Sequence, residues 1–307
     1  MAKTGDDLLS AVQLTITMPN NQVLLTDERV LHFANDEMYS SVQEGILSLR
    51  QEYFVYLDES DQTVVDQANY DIPYRAIGRT LRDLKVKDSN STNVFNCTQI
   101  ALEDAHIFQN SSNMFGYYFQ GDQIHMVPAP NSTAFYLMKY YLLRPNRIVQ
   151  TTDAGQVQGI AGNVITLDAV PSTFTANTSV DFIQGKQGNR TLAMDQTITN
   201  VSGLQVTIST PPSSLVVGDY VSLAEETPVI QLPDEAFTYL VMLTAKRCLY
   251  AIGDYEGMKA VDEQIPEKRS LLEKALAPRN EGATTKIVGR SGLLRGRRNS
   301  YWRGVFR

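Results

Sequence analysis

The sequence predicts an α+β fold: an antiparallel helical bundle built from the two ends of the chain, a large inserted β domain (barrel or sandwich), and an extended C-terminal tail. Three observations lead there. Apolar side chains recur at helical spacing over residues 27–52, and do so again over 233–276. The stretch between is made of short aromatic and β-branched runs punctuated by Gly, Pro, Asn and Asp, which is strand-and-turn chemistry. The chain accordingly divides into an arm and helix (1–55), a β region (56–232), C-terminal helices (233–281) and a basic tail (282–307).

The first regular element is expected in LTDERVLHFANDEMYSSVQEGILSLRQEYF. Thr26 is an N-cap, Asp27 and Glu28 load the first turn with negative charge, and Val30, Ala34, Met38, Val42, Ile46 and Leu49 form one stripe. This spacing predicts a helix over Asp27–Glu52. After Tyr56 come FVYL, RTLRDLKV, MFGYYFQ, DQIHMVPAP and FYLMKYYLLRP, read as strands. GYYFQGDQIHMV reads as a hairpin turning at Gly121-Asp122. Pro73, Pro128, Pro130 and Pro145 are expected to bound strands, since proline cannot donate to a ladder.

A repeat lies inside the β region. IAGNVITLDAVPSTFTANTSVDF at 160–182 returns 41 residues later as VSGLQVTISTPPSSLVVGDYVSL at 201–223. Gly162 matches Gly203, Thr166 Thr207, Pro171 Pro212, Ser172 Ser213 and Val180 Val221. Each copy reads as strand, Pro-Ser turn, strand. Two copies are too few for a solenoid, so a small barrel or sandwich of matching hairpins is expected.

LPDEAFTYLVMLTAKRCLYAIGD reads as a buried helix capped by Asp234 and closed by Gly253. Met258, Val261, Ile265, Leu272 and Leu276 continue in phase through Pro266, which is expected to kink that second helix.

Composition excludes several classes. A hydrophobic fraction of 43% with 20% charged residues is that of a globular chain rather than a disordered one. Cys97 and Cys248, far apart, form no disulfide framework and are expected as apolar filler. No run approaches the ~20 apolar residues of a membrane span, so no membrane partner is expected. His32, His106 and His125 show no ligand spacing, GKQGNR at Gly185 lacks phosphate-loop spacing, and no nucleophile elbow occurs. The expectation is a protein that is not an enzyme, with no cofactor, metal or catalytic residue.

The tail is the strongest chemical signal. From Gly282 onward there is no acid, but Lys286, Arg290, Arg295, Arg297, Arg298, Arg303 and Arg307 give +7; removing that from the chain's −7 leaves −14 on the rest. Arginine forks suit carboxylates, and the apolar residues Leu293, Leu294, Trp302, Val305 and Phe306 are anchors of the kind that fill interface pockets. The acidic remainder argues against a general nucleic-acid binder.

The leading helix LTDERVLHFANDEMYSSV, the segment YDIPYRAIGRTLRDLKV, the strand ending YYLLRPNRIV and the closing LPDEAFTYLVMLTAKRCLYAIGD resemble head–tail connector (adaptor) proteins of tailed bacteriophages, over about Leu25 to Arg279. The resemblance implies a structural virion protein at the neck, assembled in the host cytoplasm as a homo-oligomeric ring, commonly of twelve copies. It implies portal binding through the C-terminal segment, tail or nozzle proteins on the opposite face, and double-stranded DNA passing through the lumen without specific binding. The portal-docking residues would be Arg290, Leu293, Leu294, Arg295, Arg297, Arg298, Tyr301, Trp302, Arg303, Phe306 and Arg307. The β insertion is larger than compact adaptors carry. A tail-tube or minor tail protein is the alternative in the same setting; a carbohydrate-binding host-adhesion module, suggested by FGYYF at Phe115, is the alternative outside it.

Overall fold

A helix that the sequence reading passed over opens the chain. In this computed structural model, which describes residues 2–16, 25–89, 92–109, 115–131, 135–186 and 190–277, α1 spans Gly5–Thr15. Its start is a reciprocal capping box: the Asp7 N–H donates to the Thr4 hydroxyl, and the Thr4 N–H donates to the Asp7 carboxylate. The expected long helix follows as α2 (Asp27–Glu37) and α3 (Gln43–Leu49), joined through one π-type turn at Met38–Val42. Thr26 caps it as expected, accepting from the Arg29 N–H. Val30, Ala34, Met38, Val42 and Ile46 are fully buried, so the predicted stripe is the packed face. The helix stops at Leu49, earlier than Glu52, because Arg50 turns to an extended φ of −149°.

The β region begins with β1 (Val55–Asp58), β2 (Asn69–Asp71), β3 (Asp83–Asp88), β4 (Val94–Asn96) and β5 (Thr98–Gln99). After the short helix α4 (Ala105–Phe108) come β6 (Gly116–Gln120), β7 (Gln123–Val127) and β8 (Phe135–Leu142). They form two four-stranded sheets, β1-β8-β3-β4 and β2-β7-β6-β5. The chain passes from one sheet to the other at Cys97, whose N–H donates to the Leu84 carbonyl. Both sheets bury one core that includes Leu84, Val86, Tyr117, Ile124, Met126, Leu137 and Tyr141. The hairpin at Gly121-Asp122 is present as β6–β7.

Next, β9 (Arg147–Ile148) leads into β10 (Gly155–Ala161), β11 (Val164–Leu167), β12 (Ser179–Ile183), β13 (Thr191–Ser202), β14 (Gln205–Ile208) and β15 (Tyr220–Leu223), and β16 (Glu226–Thr227) leads out. β10 to β15 close a barrel in the order β10-β11-β14-β13-β12-β15. Each repeat supplies three strands, one more than the sequence suggested, because the strand before each matching glycine, Gly162 or Gly203, belongs to the unit. Exchanging β10, β11 and β12 with β13, β14 and β15 maps every pairing of the barrel onto another, so the barrel is an internal two-fold. The equivalent residues Ile165 and Val206 pair with each other, as do Asp181 and Ser222, which places the pseudo-axis through both pairs. The bulge at Val157/Gly159 recurs at Ile198/Asn200. Gly162 and Gly203 both have φ +60° in two-residue turns, a conformation that costs any L side chain. The Pro-Ser turns match as well: the Phe174 N–H donates to Pro171 and the Leu215 N–H to Pro212. Phe174 and Leu215 then plug the same core.

The chain closes with α5 (Asp234–Ile252), α6 (Tyr255–Asp262) and α7 (Ile265–Leu276). Two expectations need correcting. Asp234 is the first helical residue rather than the cap, which is Pro233. Pro266 does not kink one helix; it starts another, sitting in the first turn of α7 where its missing N–H costs nothing. Gly253 ends α5 with φ 82°, as expected. Side chains from α1, α2, α3, α5, α6 and α7 share one core, with Leu8, Val12, Val30, Ile46, Leu240, Cys248 and Leu272 at its centre. The molecule is therefore mixed α+β with several helices and a six-stranded closed barrel.

Candidate functional site

The docking residues expected from the sequence, Arg290, Leu293, Leu294, Arg295, Arg297, Arg298, Tyr301, Trp302, Arg303, Phe306 and Arg307, lie outside the described residues. Within them, the richest polar chemistry gathers where helices, sheets and barrel meet.

The two strands flanking the barrel, β9 and β16, pair in parallel and form its neck. Asn35 of α2 grips the neck through the backbone: the Ile148 N–H donates to Asn35 Oδ1 at 2.7 Å, and Asn35 Nδ2 donates to the Ile148 carbonyl at 3.0 Å. Beside it, Gln231 Oε1 accepts from the Asn146 N–H at 2.8 Å while its Nε2 donates to Thr191 Oγ1 at 3.0 Å. At the centre Asp181 of β12, fully buried, accepts from five donors. Arg75 supplies two, at 2.5 and 3.1 Å; Asn146 Nδ2 donates at 2.8 Å, and the Asp195 and Glu225 N–H groups at 3.0 Å each. Arg75 also donates to Asp195 at 2.6 Å and to the Tyr74 hydroxyl at 2.9 Å. Burial works against the Arg75 charge, but the bonds to Asp181 outweigh it and hold its pKa above the ordinary value. A buried ion pair with its remaining bonds filled locks one geometry. Neither Arg75 nor Asp181 stands out in the sequence; among 27 basic and 34 acidic residues, neither has a distinguishing spacing.

Two openings border this hub. One, of about 480 Å³, is lined by residues that include His32, Tyr39, Arg144, Arg147 and Glu225. Arg144 stacks over Tyr39, whose hydroxyl is pushed up to about 12 chiefly by burial. The other is a groove of about 1060 Å³ between the sheets and the barrel. Tyr56, Tyr70, Tyr74 and Tyr141 wall it, and Asp58, Asp61, Asp71, Asp122 and Asp195 face it against Arg75, Arg79 and Lys139.

The residues weighed for chemistry in the sequence are not brought together. His32 faces Asp36 at 3.5 Å, His106 Nδ1 meets the Glu103 carbonyl at 2.8 Å, and His125 stacks on Tyr118. Both cysteines are buried, and burial pushes each thiol up to about 12. Gly185 is a packing position: a Cβ there would sit 2.1 Å from the Gly218 carbonyl oxygen. In FGYYF, Tyr117 is core, while Tyr118 and Phe119 are half-buried. Among the described residues no cluster of three or more His, Cys, Asp or Glu could hold a metal ion, and no helix is long and apolar enough to cross a membrane.

No protein-family model matches this chain, and no curated protein matches it.

Proposed function

We propose that this chain is a subunit of a head–tail connector ring of a tailed bacteriophage, binding the portal and joining the DNA-filled capsid to the tail. The observation that carries the reading is the division between a well-packed acidic body and a separate arginine-and-aromatic terminus. The described helices from both chain ends share one core, which supports a bundle of the kind such an adaptor requires, and the β region lies between them in sequence. The basic segment follows α7 in sequence. About twelve copies form the ring; arginines 290, 295, 297, 298, 303 and 307 pair with portal carboxylates, and Trp302 and Phe306 fill apolar pockets. The −14 on residues 1–281 keeps passing DNA from adhering, an effect screened over ~8 Å at physiological salt. Tail or nozzle proteins meet the opposite face.

The test is to mix the full chain, and a chain lacking residues 286–307, with portal and image both by electron microscopy. Rings on the portal only with the full chain are expected. Equal decoration by the shortened chain would refute the assignment.

A further inference from the structure

We propose that, before it meets its partner, the arginine-rich C-terminal segment rests in the groove between the sheets and the barrel of its own copy, and must be displaced for docking. The proposal rests on the docking role given above to that segment. Three features select this groove. Its charge is complementary: five carboxylates face it against three cations, and one of those, Arg75, is already held by Asp181 outside the groove. Lys139 bonds Asp61 and the Asp71 carbonyl, and Arg75 also bonds Asp195, which leaves Asp58, Asp71 and Asp122 facing Arg79. Asp71 and Asp122 stand exposed at the rim, where arginine forks reach them without a burial cost.

Its walls are also complementary. Tyr74 is 49% exposed, and with the half-buried Tyr56 it offers ring surface to guanidinium groups and to Trp302. Its volume, about 1060 Å³, is at the top of the range for small-ligand pockets and suits a few residues of extended chain.

Length permits the contact. Residues 278–307 extended at ~3.3 Å each reach about 100 Å. The body they leave has a radius of gyration of about 19 Å for its length, so every face of it is within range. Covalent tethering presents the segment to its own copy at up to roughly millimolar effective concentration, which favours the groove of the same copy over that of another. Occupying it keeps free chains from adhering to one another through the tail.

Trp302 is the chain's one tryptophan, so intrinsic fluorescence reports on this segment alone. With tryptophan excited selectively, the full chain is expected to emit to the blue of a free 286–307 peptide, and its quenching by acrylamide to be severalfold weaker. Raising salt to 1 M, where the screening length is about 3 Å, should move both values toward those of the peptide. So should the rim substitutions Asp71→Lys and Asp122→Lys together, with circular dichroism checking that the variant keeps its fold. Emission and quenching equal to the peptide's would overturn the proposal. A shielded tryptophan that ignores both salt and the rim charges would overturn it too. Shielding that fades on dilution would place the segment on a second copy and overturn the intramolecular assignment. Portal binding by the same full chain is scored separately. An unshielded Trp302 with intact portal binding sinks only this inference; a shielded Trp302 without portal binding sinks only the connector assignment.

Discussion

Replacing Arg75 with Met tests what fixes the barrel to the rest of the molecule. Arg75 lies between β2 and β3, and Asp181 lies on a barrel strand, so their bonds cross from one body to the other. Losing one partner of a buried ion pair costs about 3–5 kcal/mol, because a charge stays behind uncompensated. Here the stranded Asp181 keeps three donors, from Asn146, Asp195 and Glu225, which moves the expected cost to the low end, about 3 kcal/mol. That corresponds to about 150-fold in any opening that separates the two bodies. The assay is native-state hydrogen exchange. Amides of Asp195 and Glu225, which donate to Asp181, should exchange faster by that factor, while those inside the β11–β14 pair should not change. Arg75→Lys keeps the charge but loses the fork, and should recover only part of the protection. Asp181→Leu should cost more than Arg75→Met, since it strands three further donors at about 1–3 kcal/mol each. Unchanged exchange at 195 and 225 in Arg75→Met would refute the claim that this pair pins the barrel.

Two further outcomes follow from the interior. Cys97 and Cys248 hold their protons up to about 12 in the fold, whereas an unfolded thiol releases its proton near ~8.5. Their contribution is therefore intact below that lower value and is lost as pH climbs toward 12. At pH 8 a thiol reagent should label neither cysteine in the native chain and both in denaturant; fast native labelling of either contradicts the packing. Gly162→Ala and Gly203→Ala should each cost about 1–2 kcal/mol in denaturant melts. The costs should agree closely, because both residues have φ +60° and a Cβ on either meets nothing within 4 Å. Unequal costs would break the two-fold reading of the barrel.

What was legible in the sequence was what is periodic. The stripe from Val30 to Ile46 and the 41-residue repeat each state a geometry several times over, so α2, α3 and the barrel were readable. α1 was missed because Leu8, Leu9 and Val12 are too few to establish a period; the Thr4/Asp7 box was its one signal. Pro266 was misread because Met258, Val261 and Ile265 stay in phase across a break, and phase alone does not distinguish a kinked helix from two. The hub around Asp181 was invisible for a different reason. Its members, Asn35, Arg75, Asn146, Asp181, Asp195 and Gln231, come from separate elements, and only the closed fold makes them neighbours.

The barrel's symmetry makes one departure from it informative. Asp181 and Ser222 sit on the pseudo-axis as each other's counterpart, so a perfect duplicate would carry the same residue twice and present two equivalent docking faces. Instead, Asp181 collects five donors, two from Arg75, two from Asn146 and Glu225 beside the neck and one from Asp195 of β13, while the Ser222 hydroxyl donates to the Glu226 carbonyl. The matching turn positions, Asn177 and Gly218, both hold positive φ, so the difference at the axis is not backbone drift. It is a charge placed in one copy and omitted from the other. The copy that faces Arg75 and the neck therefore carries a carboxylate where its counterpart carries a hydroxyl. Asp181 thus joins the barrel to Arg75 of the sheet region through a residue that the repeat does not share.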